Sequence, residues 1–212
     1  MINAKNIIRI VRQGEALKSV ERAGWSLAGV SGVRVESVGE HSYGTALLSI
    51  VIAKSLIERN DIVDSGKVAS RALIHDLPEA ITSDIPYTIT KNGGEKARKA
   101  KRDAEREAIT SISLNGFGNW IVDLWREMET RDSLESRIVA GADILDMLLH
   151  AIELERSGTS PEKLDQFFVT SQQRINDLNI TIVKDIFWEL YREHSETAEK
   201  IGISIQEISR IE

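Results

Sequence analysis

An all-α fold is what this sequence predicts, on three observations. Only three prolines occur in 212 residues, so little interrupts a helical hydrogen-bond ladder. Apolar residues recur over long stretches with the helical period of about 3.6. Start signals precede several of those stretches. The clearest is Ser37-Val38-Gly39-Glu40, where a Ser cap followed three residues later by Glu makes a capping box.

Taken in order, residues 3–23 place Ile7, Ile8, Ile10, Val11, Leu17 and Val20 on a broad apolar face, a first helix. Residues 29–37 hold alternating valines and two glycines, a loop or short extended segment. The capping box opens a helix to about residue 59 whose apolar residues wrap most of the way round, which predicts a central position. Residues 66–77 form the next helix. Pro78 clashes with the carbonyl four residues back, so this helix ends near Asp76–Leu77 and a short one starts at Pro78. Residues 87–94, YTITKNGG, read as a loop. A charged helix over 95–114 mixes Lys and Arg with acids and predicts a solvated face, with phosphate binding as the rival reading. Asn115-Gly116 breaks it. A helix over 117–130 carries Trp120 and Trp125, both expected in the core, and another spans 133–157. Ser160-Pro161-Glu162 caps a helix to about 177, with Pro at its first position. The last long helix covers 181–199. The tail after it repeats isoleucine at Ile201, Ile203, Ile205, Ile208 and Ile211, a stripe that docks on the body or on a partner subunit.

Composition narrows the function classes. The chain is 42% apolar and 28% charged with a net charge of −6, so no basic field draws it to polymeric nucleic acid or a membrane surface. It has no cysteine, which excludes thiolate metal sites, iron–sulfur clusters and thiol nucleophiles. No apolar run approaches the ~18 residues of a membrane span, and the start MINAKNIIRIVRQ lacks a signal-peptide layout. A cytoplasmic protein is the expectation.

The chemistry concentrates in residues 71–86, RALIHDLPEAITSDIP, which set His75, Asp76, Glu79 and Asp84 among apolar neighbours. With His41 near the start of an earlier helix and Asp143 in a later one, two His and two Asp from three helices can converge on one divalent ion. Nitrogen and oxygen ligation suits Mn, Co, Mg, Ni, Fe or Zn. A lone His or a His-Asp pair is by itself more often structural.

Order and context carry further. VGEHSYGTALLSIVIA around His41, HDLPEAITSDIP over 75–86 and GADILDML around Asp143 resemble the HD-domain phosphohydrolase superfamily, and within it the 5′-deoxynucleotidases. The likeness covers about residues 17–157. It implies a single domain over 1–212: an HD-domain helical bundle with extra C-terminal helices from about 160. It also implies metal ligation by His41, His75, Asp76 and Asp143, with Glu79 and Asp84 as the acidic catalytic pair. Arg22 before Gly24-Trp25 matches an Arg that meets phosphate, and Trp25 a Trp near the sugar C2′. Two features depart from the pattern. The stretch between Trp25 and His41 is longer, and Ala140-Gly141-Ala142 replace larger polar residues.

The residues make chemical sense of that likeness. Glu79, one turn from the His-Asp pair, is placed to take a proton from water. Asp84 binds the sugar hydroxyl or assists the leaving oxygen. Arg22 clamps phosphate or ends its helix in solvent; Arg34 is a second phosphate contact or an ordinary loop charge. Trp25 is a sugar-pocket wall or a core anchor. Asp146 and His150, on the face of Asp143, read as supporting residues, and Glu135 as a helix cap with a reach to the site as its rival. The expected activity is hydrolysis of deoxyribonucleoside 5′-monophosphates with one divalent metal ion, by a homodimer acting on a small nucleotide. The alternatives are an HD hydrolase of a triphosphate or nucleotide derivative, and a non-catalytic metal- or nucleotide-binding regulatory module.

Overall fold

The computed structural model describes residues 3–113 and 119–210. Among them lie eleven helices: α1 (Ala4–Leu17), α2 (Ala23–Leu27), α3 (Val38–Glu58), α4 (Ser65–Ile74), α5 (Glu79–Thr82), α6 (Tyr87–Asn92), α7 (Gly94–Ser113), α8 (Trp120–Thr130), α9 (Leu134–Arg156), α10 (Pro161–Asp177) and α11 (Thr181–Lys200). The Asn115-Gly116 break and Ile211 lie outside the described residues. No described helix is long and apolar enough to cross a membrane.

The capping box forms as its residues dictate. Ser37 Oγ accepts the Glu40 N–H, and the Glu40 carboxylate accepts the Ser37 N–H at 2.8 Å. α3 then runs across α4 and α9, burying Ala46, Ile52, Ala53 and Leu56. Its outer face stays open, with Tyr43, Leu47, Ile50 and Val51 exposed, so α3 is buried on one side rather than all round. α9 is the more enclosed helix. Ile138, Ala142, Ile144, Leu145, Leu148 and Ala151 bury almost completely, against α3 and α4 on one flank and α10 and α11 on the other. One apolar cluster runs from Trp25 to Leu190, and a smaller one joins Leu17, Val38, Leu77, Ile109, Ile121 and Trp125 beneath the His-Asp segment.

Four expectations need correction. The first helix stops at Leu17 rather than near residue 23, because the chain after it is drawn into pairing with residues 36–38. Val38 N–H donates to the Val20 carbonyl at 2.7 Å and Arg22 N–H to that of Glu36 at 3.2 Å. Residues 87–94 are not a loop: Pro86 sets the turn into α6, and Thr90 buries and donates to the Tyr87 carbonyl. Trp125 is core, but Trp120 keeps 53% of its surface, since the buried side of α8 passes through Ile121, Val122, Leu124 and Trp125. Helix α7 is not wholly solvated, because Lys101 and Glu105 turn inward, at 26% and 15% exposure.

Pro78 acts as its chemistry requires. α4 ends at Ile74, His75 caps it, and α5 begins directly after Pro78. The isoleucine tail folds back on its own chain. Gln206 N–H donates to Asp165, Ile208 N–H to the Tyr191 hydroxyl, and Ile208 packs on the main cluster. Beneath it, buried His194 bridges Glu155 of α9 at 2.5 Å and Asp165 of α10 at 3.4 Å.

Candidate metal centre and adjoining cavity

α3, the α4–α5 turn and α9 meet where the sequence concentrates its imidazoles and carboxylates. His41 is fully buried, one turn into α3. Its Nδ1 lies 2.8 Å from Asp146 Oδ2 and its Nε2 3.1 Å from Asp143 Oδ1. Asp146 comes this close because residue 44 is glycine: a Cβ there would stand 2.0 Å from Asp146 Oδ1. His75, at the end of α4, donates Nδ1–H to the Ala72 carbonyl at 2.7 Å. That bond leaves Nε2 as a lone pair directed inward. The nitrogen is buried with no hydrogen-bond partner, and Asp76 Oδ2 is 3.1 Å away.

Burial pushes His75 down and Asp76 pulls it up, so at this distance the pair is satisfied by a proton on Nε2 or by a cation shared with the carboxylate. His41, His75 and Asp76 offer ligand atoms all within 4.8 Å of one another, and Asp143 extends the group through His41. The orphaned His75 nitrogen and the all-nitrogen-and-oxygen donor set fit a divalent cation. The electrostatics agree. Burial and Arg22 push His41 down, yet hydrogen bonds to Asp143 and Asp146 carry it up to about 10. Burial raises Asp143 and Asp76, but the histidines hold both well below the usual carboxylate range.

Beside this cluster opens a cavity of about 520 Å³ whose lining includes Arg22, Trp25, Asp76, Glu79, Asp84 and Asp143. Arg22 NH1 is 3.4 Å from Asp76 Oδ2. Asp84 Oδ2 accepts the Ala23 N–H at 2.8 Å, tying the start of α2 to the segment before α6. Trp25 is 1% exposed; its ring packs on Phe167 and His150, and its Nε1–H donates to Glu36 at 3.4 Å. Trp25 is thus a core anchor that also lines the cavity. Glu79 is 3% exposed with Oε2 unpartnered. Burial, then the charge of Asp76, pushes its carboxyl up to about 9, against the pull of Lys101.

Arg34 is not brought to this cavity. Its side chain is 78% exposed and pairs with Glu40 on the outer surface of the α3 start. Glu135 accepts the Asp64 N–H at 3.2 Å, away from the cluster. Ala140-Gly141-Ala142 serve packing: a Cβ on Gly141 would stand 2.9 Å from Val183 of α11. Two cavity residues escape sequence reading. Lys101 of α7 lies 3.4 Å from Glu79 Oε1 and donates to the Ile85 carbonyl at 3.2 Å. Arg174 of α10 lines the wall formed by Tyr87, Phe167 and Thr170. The i, i+4 pairing of Lys101 with Glu105 was legible, but not which way it faces.

Known proteins resemble this chain in sequence and fold. A family model described as HD domain matches residues 14–181. The chain is 31% identical over 172 residues to the 5′-deoxynucleotidase HDDC2 of Danio rerio, covering 81% of this chain and 80% of that protein. To the 5′-deoxynucleotidase HDDC2 of Homo sapiens it is 29% identical over 173 residues, 82% and 80% of the two chains. Among solved structures, a conserved hypothetical protein from Pyrococcus furiosus superposes with a TM-score of 0.73 at 30% identity, over 87% of this chain and 99% of that one. A cyanophage S-2L HD phosphohydrolase bound to dA and one catalytic Zn2+ ion shares the fold, with a TM-score of 0.57 at 15% identity over 89% and 96%. The His, His-Asp and Asp that converge here from three helices thus sit within a match spanning most of the chain, and the protein belongs to the HD domain family.

Proposed function

We propose that the protein is a metal-dependent phosphomonoesterase that hydrolyses deoxyribonucleoside 5′-monophosphates to deoxynucleoside and phosphate. The observation that carries this reading is the cavity of about 520 Å³ opening directly on the His41, His75, Asp76 and Asp143 cluster. Its size is that of a small-molecule site. The 5′-deoxynucleotidase relatives supply the substrate class.

His41, His75, Asp76 and Asp143 are the residues that would hold the ion. A divalent cation there supplies charge neutralisation for the phosphoryl group and lowers the pKa of water. The remaining chemistry belongs to the chain. Arg22, kept charged by Asp76, meets phosphate oxygens with paired donors. Glu79 is set for proton transfer. Burial and the neighbouring Asp76 charge raise its carboxyl while Lys101 and Arg22 oppose them, so it holds its proton more tightly than a free carboxylate beside the reacting water. Asp84 holds the start of α2, and with it Arg22 and Trp25, against the cavity; its second oxygen is available to the sugar hydroxyl or the leaving oxygen. Trp25, which lines the cavity beside Arg22, is placed on the sugar side.

The same reading treats the chain as one domain, because a single apolar cluster joins residues on both sides of position 160. It treats the molecule as a cytoplasmic homodimer. The supporting surface for dimerisation is the exposed row Tyr43, Leu47, Ile50 and Val51 on α3, spaced as one helix face; a monomer mass by light scattering would exclude it under those conditions.

The deciding experiment crosses Mn, Co, Mg and Zn with deoxy- and ribonucleoside monophosphates and includes a chelator control. Phosphate release from dAMP or dTMP, abolished by the chelator, is expected. Release of triphosphate from a dNTP, with no phosphate from either monophosphate, would replace this reading with that of a triphosphohydrolase.

A further inference from the structure

We infer that Arg174, on the C-terminal helix α10, is the second guanidinium that receives the substrate's phosphate. The inference rests on the phosphomonoesterase reading and names a binding residue for it. It assigns to Arg174 the role that sequence considered for Arg34.

Three observations support it. The first is placement. Arg174 lines the same cavity as Arg22, Asp76 and Asp143, although it lies about thirty residues beyond the last metal-ligand candidate. The second is its lack of a counter-ion. Among the described residues it makes no ion pair, whereas Arg22 lies 3.4 Å from Asp76 and Arg34 pairs with Glu40. A guanidinium presents five donors, and those of Arg174 stand at the cavity wall with no described carboxylate engaging them. Burial pushes Arg174 below its ordinary value, the charge of Asp143 opposes that, and Arg131 and Arg22 add to it. Asp143, which lines the same cavity, is thus its leading attractive partner without being a bonded one. The third is orientation. The Arg174 Cζ stands 5.0 Å from the centroid of the Tyr87 ring, a cation–π contact that restrains the guanidinium while leaving its edge donors open.

An open, restrained guanidinium on the same cavity as Arg22 is suited to a phosphate dianion, which accepts paired hydrogen bonds. Arg22 reaches that cavity from α2, Arg174 from α10. The two arms come from opposite ends of the chain, so the phosphate site is complete only when α10 is docked.

The test uses the full-length protein as wild type, Arg174→Gln and Arg174→Lys, with melting curves to verify folding. Binding of inorganic phosphate and of deoxyadenosine is measured separately by calorimetry, with and without divalent ion, and dAMP turnover alongside. Arg174→Gln is expected to weaken phosphate binding roughly 10- to 100-fold, the worth of one charge-assisted hydrogen-bond pair. Deoxyadenosine binding should stay unchanged, and Arg174→Lys should recover part of the loss. Unaltered phosphate binding in a folded Arg174→Gln protein overturns the inference. So does loss of deoxyadenosine binding with phosphate retained, which would place Arg174 at the base. Wild-type protein that binds phosphate through Arg174 but never releases it from dAMP would sink the phosphomonoesterase reading and leave the anion site standing.

Discussion

His75 shows how one bond determines a residue's chemistry. Its Nδ1–H is committed to the Ala72 carbonyl and its own carbonyl accepts the Trp125 indole N–H at 3.0 Å. Only Nε2 is left, and it points at Asp76. Replacing His75 or Asp143 by Ala should remove bound divalent metal and phosphatase activity together, checked by metal analysis after dialysis. Glu79→Gln should behave differently, keeping its metal while kcat falls roughly 10²- to 10⁴-fold, the usual worth of a general base. Glu36 gives a pH test. Burial pushes its carboxyl up to about 7, with His41 and Arg22 opposing. A carboxyl that binds its proton more tightly when folded contributes stability that is full below its unfolded pKa, about 4.5, and is lost as pH rises through about 7. The stability difference between wild type and Glu36→Gln should therefore shift by on the order of 3 kcal/mol against wild type between pH 4.5 and pH 9. Urea unfolding of the metal-free proteins at both pH values reads it, and a pH-independent difference would refute it.

The element that sets the precision of the centre is the crossing of α3 over α9. Gly44 lets the Asp146 carboxylate reach His41, and Gly141 lets Val183 of α11 press on the back of α9. Gly44→Ala should raise helix propensity by up to about 1 kcal/mol. It must also displace Asp146, whose hydrogen bond orients the His41 ring, and losing such a supporting partner typically lowers metal affinity by about 10- to 100-fold. Competition with a fluorescent chelator would show the loss; unchanged affinity would mean that Asp146 does not orient the ring. α6 teaches a related lesson. The segment YTITKNGG holds three β-branched residues and two glycines and reads as a loop, but Pro86 starts the turn, Thr90 buries, and Tyr87 lies against Arg174. Tertiary packing outweighs weak local propensity there.

Across the whole molecule, the centre is held by segments far apart in the chain. Arg22 meets Asp76, His41 meets Asp143, and Arg174 closes the far wall. An ion that binds only this assembled state stabilises all of it by linkage, by about 2.7 kcal/mol at a free concentration 100 times its Kd. Chelation should lower the melting temperature, and the Asp143→Ala protein should melt independently of added metal; calorimetric scans with and without chelator test both. His194, between Glu155 and Asp165, and the docked tail hold α10 against α9 and α11, which keeps Arg174 in place.

Local chemistry in the chain was enough to predict the helical class, the capping box at Ser37 and the Pro78 break, whereas the set of imidazoles and carboxylates at the centre came from the resemblance carried by the order and context of their motifs. Helical period, cap and proline act over a few residues, and HDLPEAITSDIP states its donors outright. The assembled fold alone decided that Arg34 faces solvent while Arg174 enters the cavity, that Lys101 turns inward to Glu79, and that Trp120 stays half exposed. A side chain's partner depends on which distant helix packs opposite it, and nothing in a local period or charge pattern carries that information.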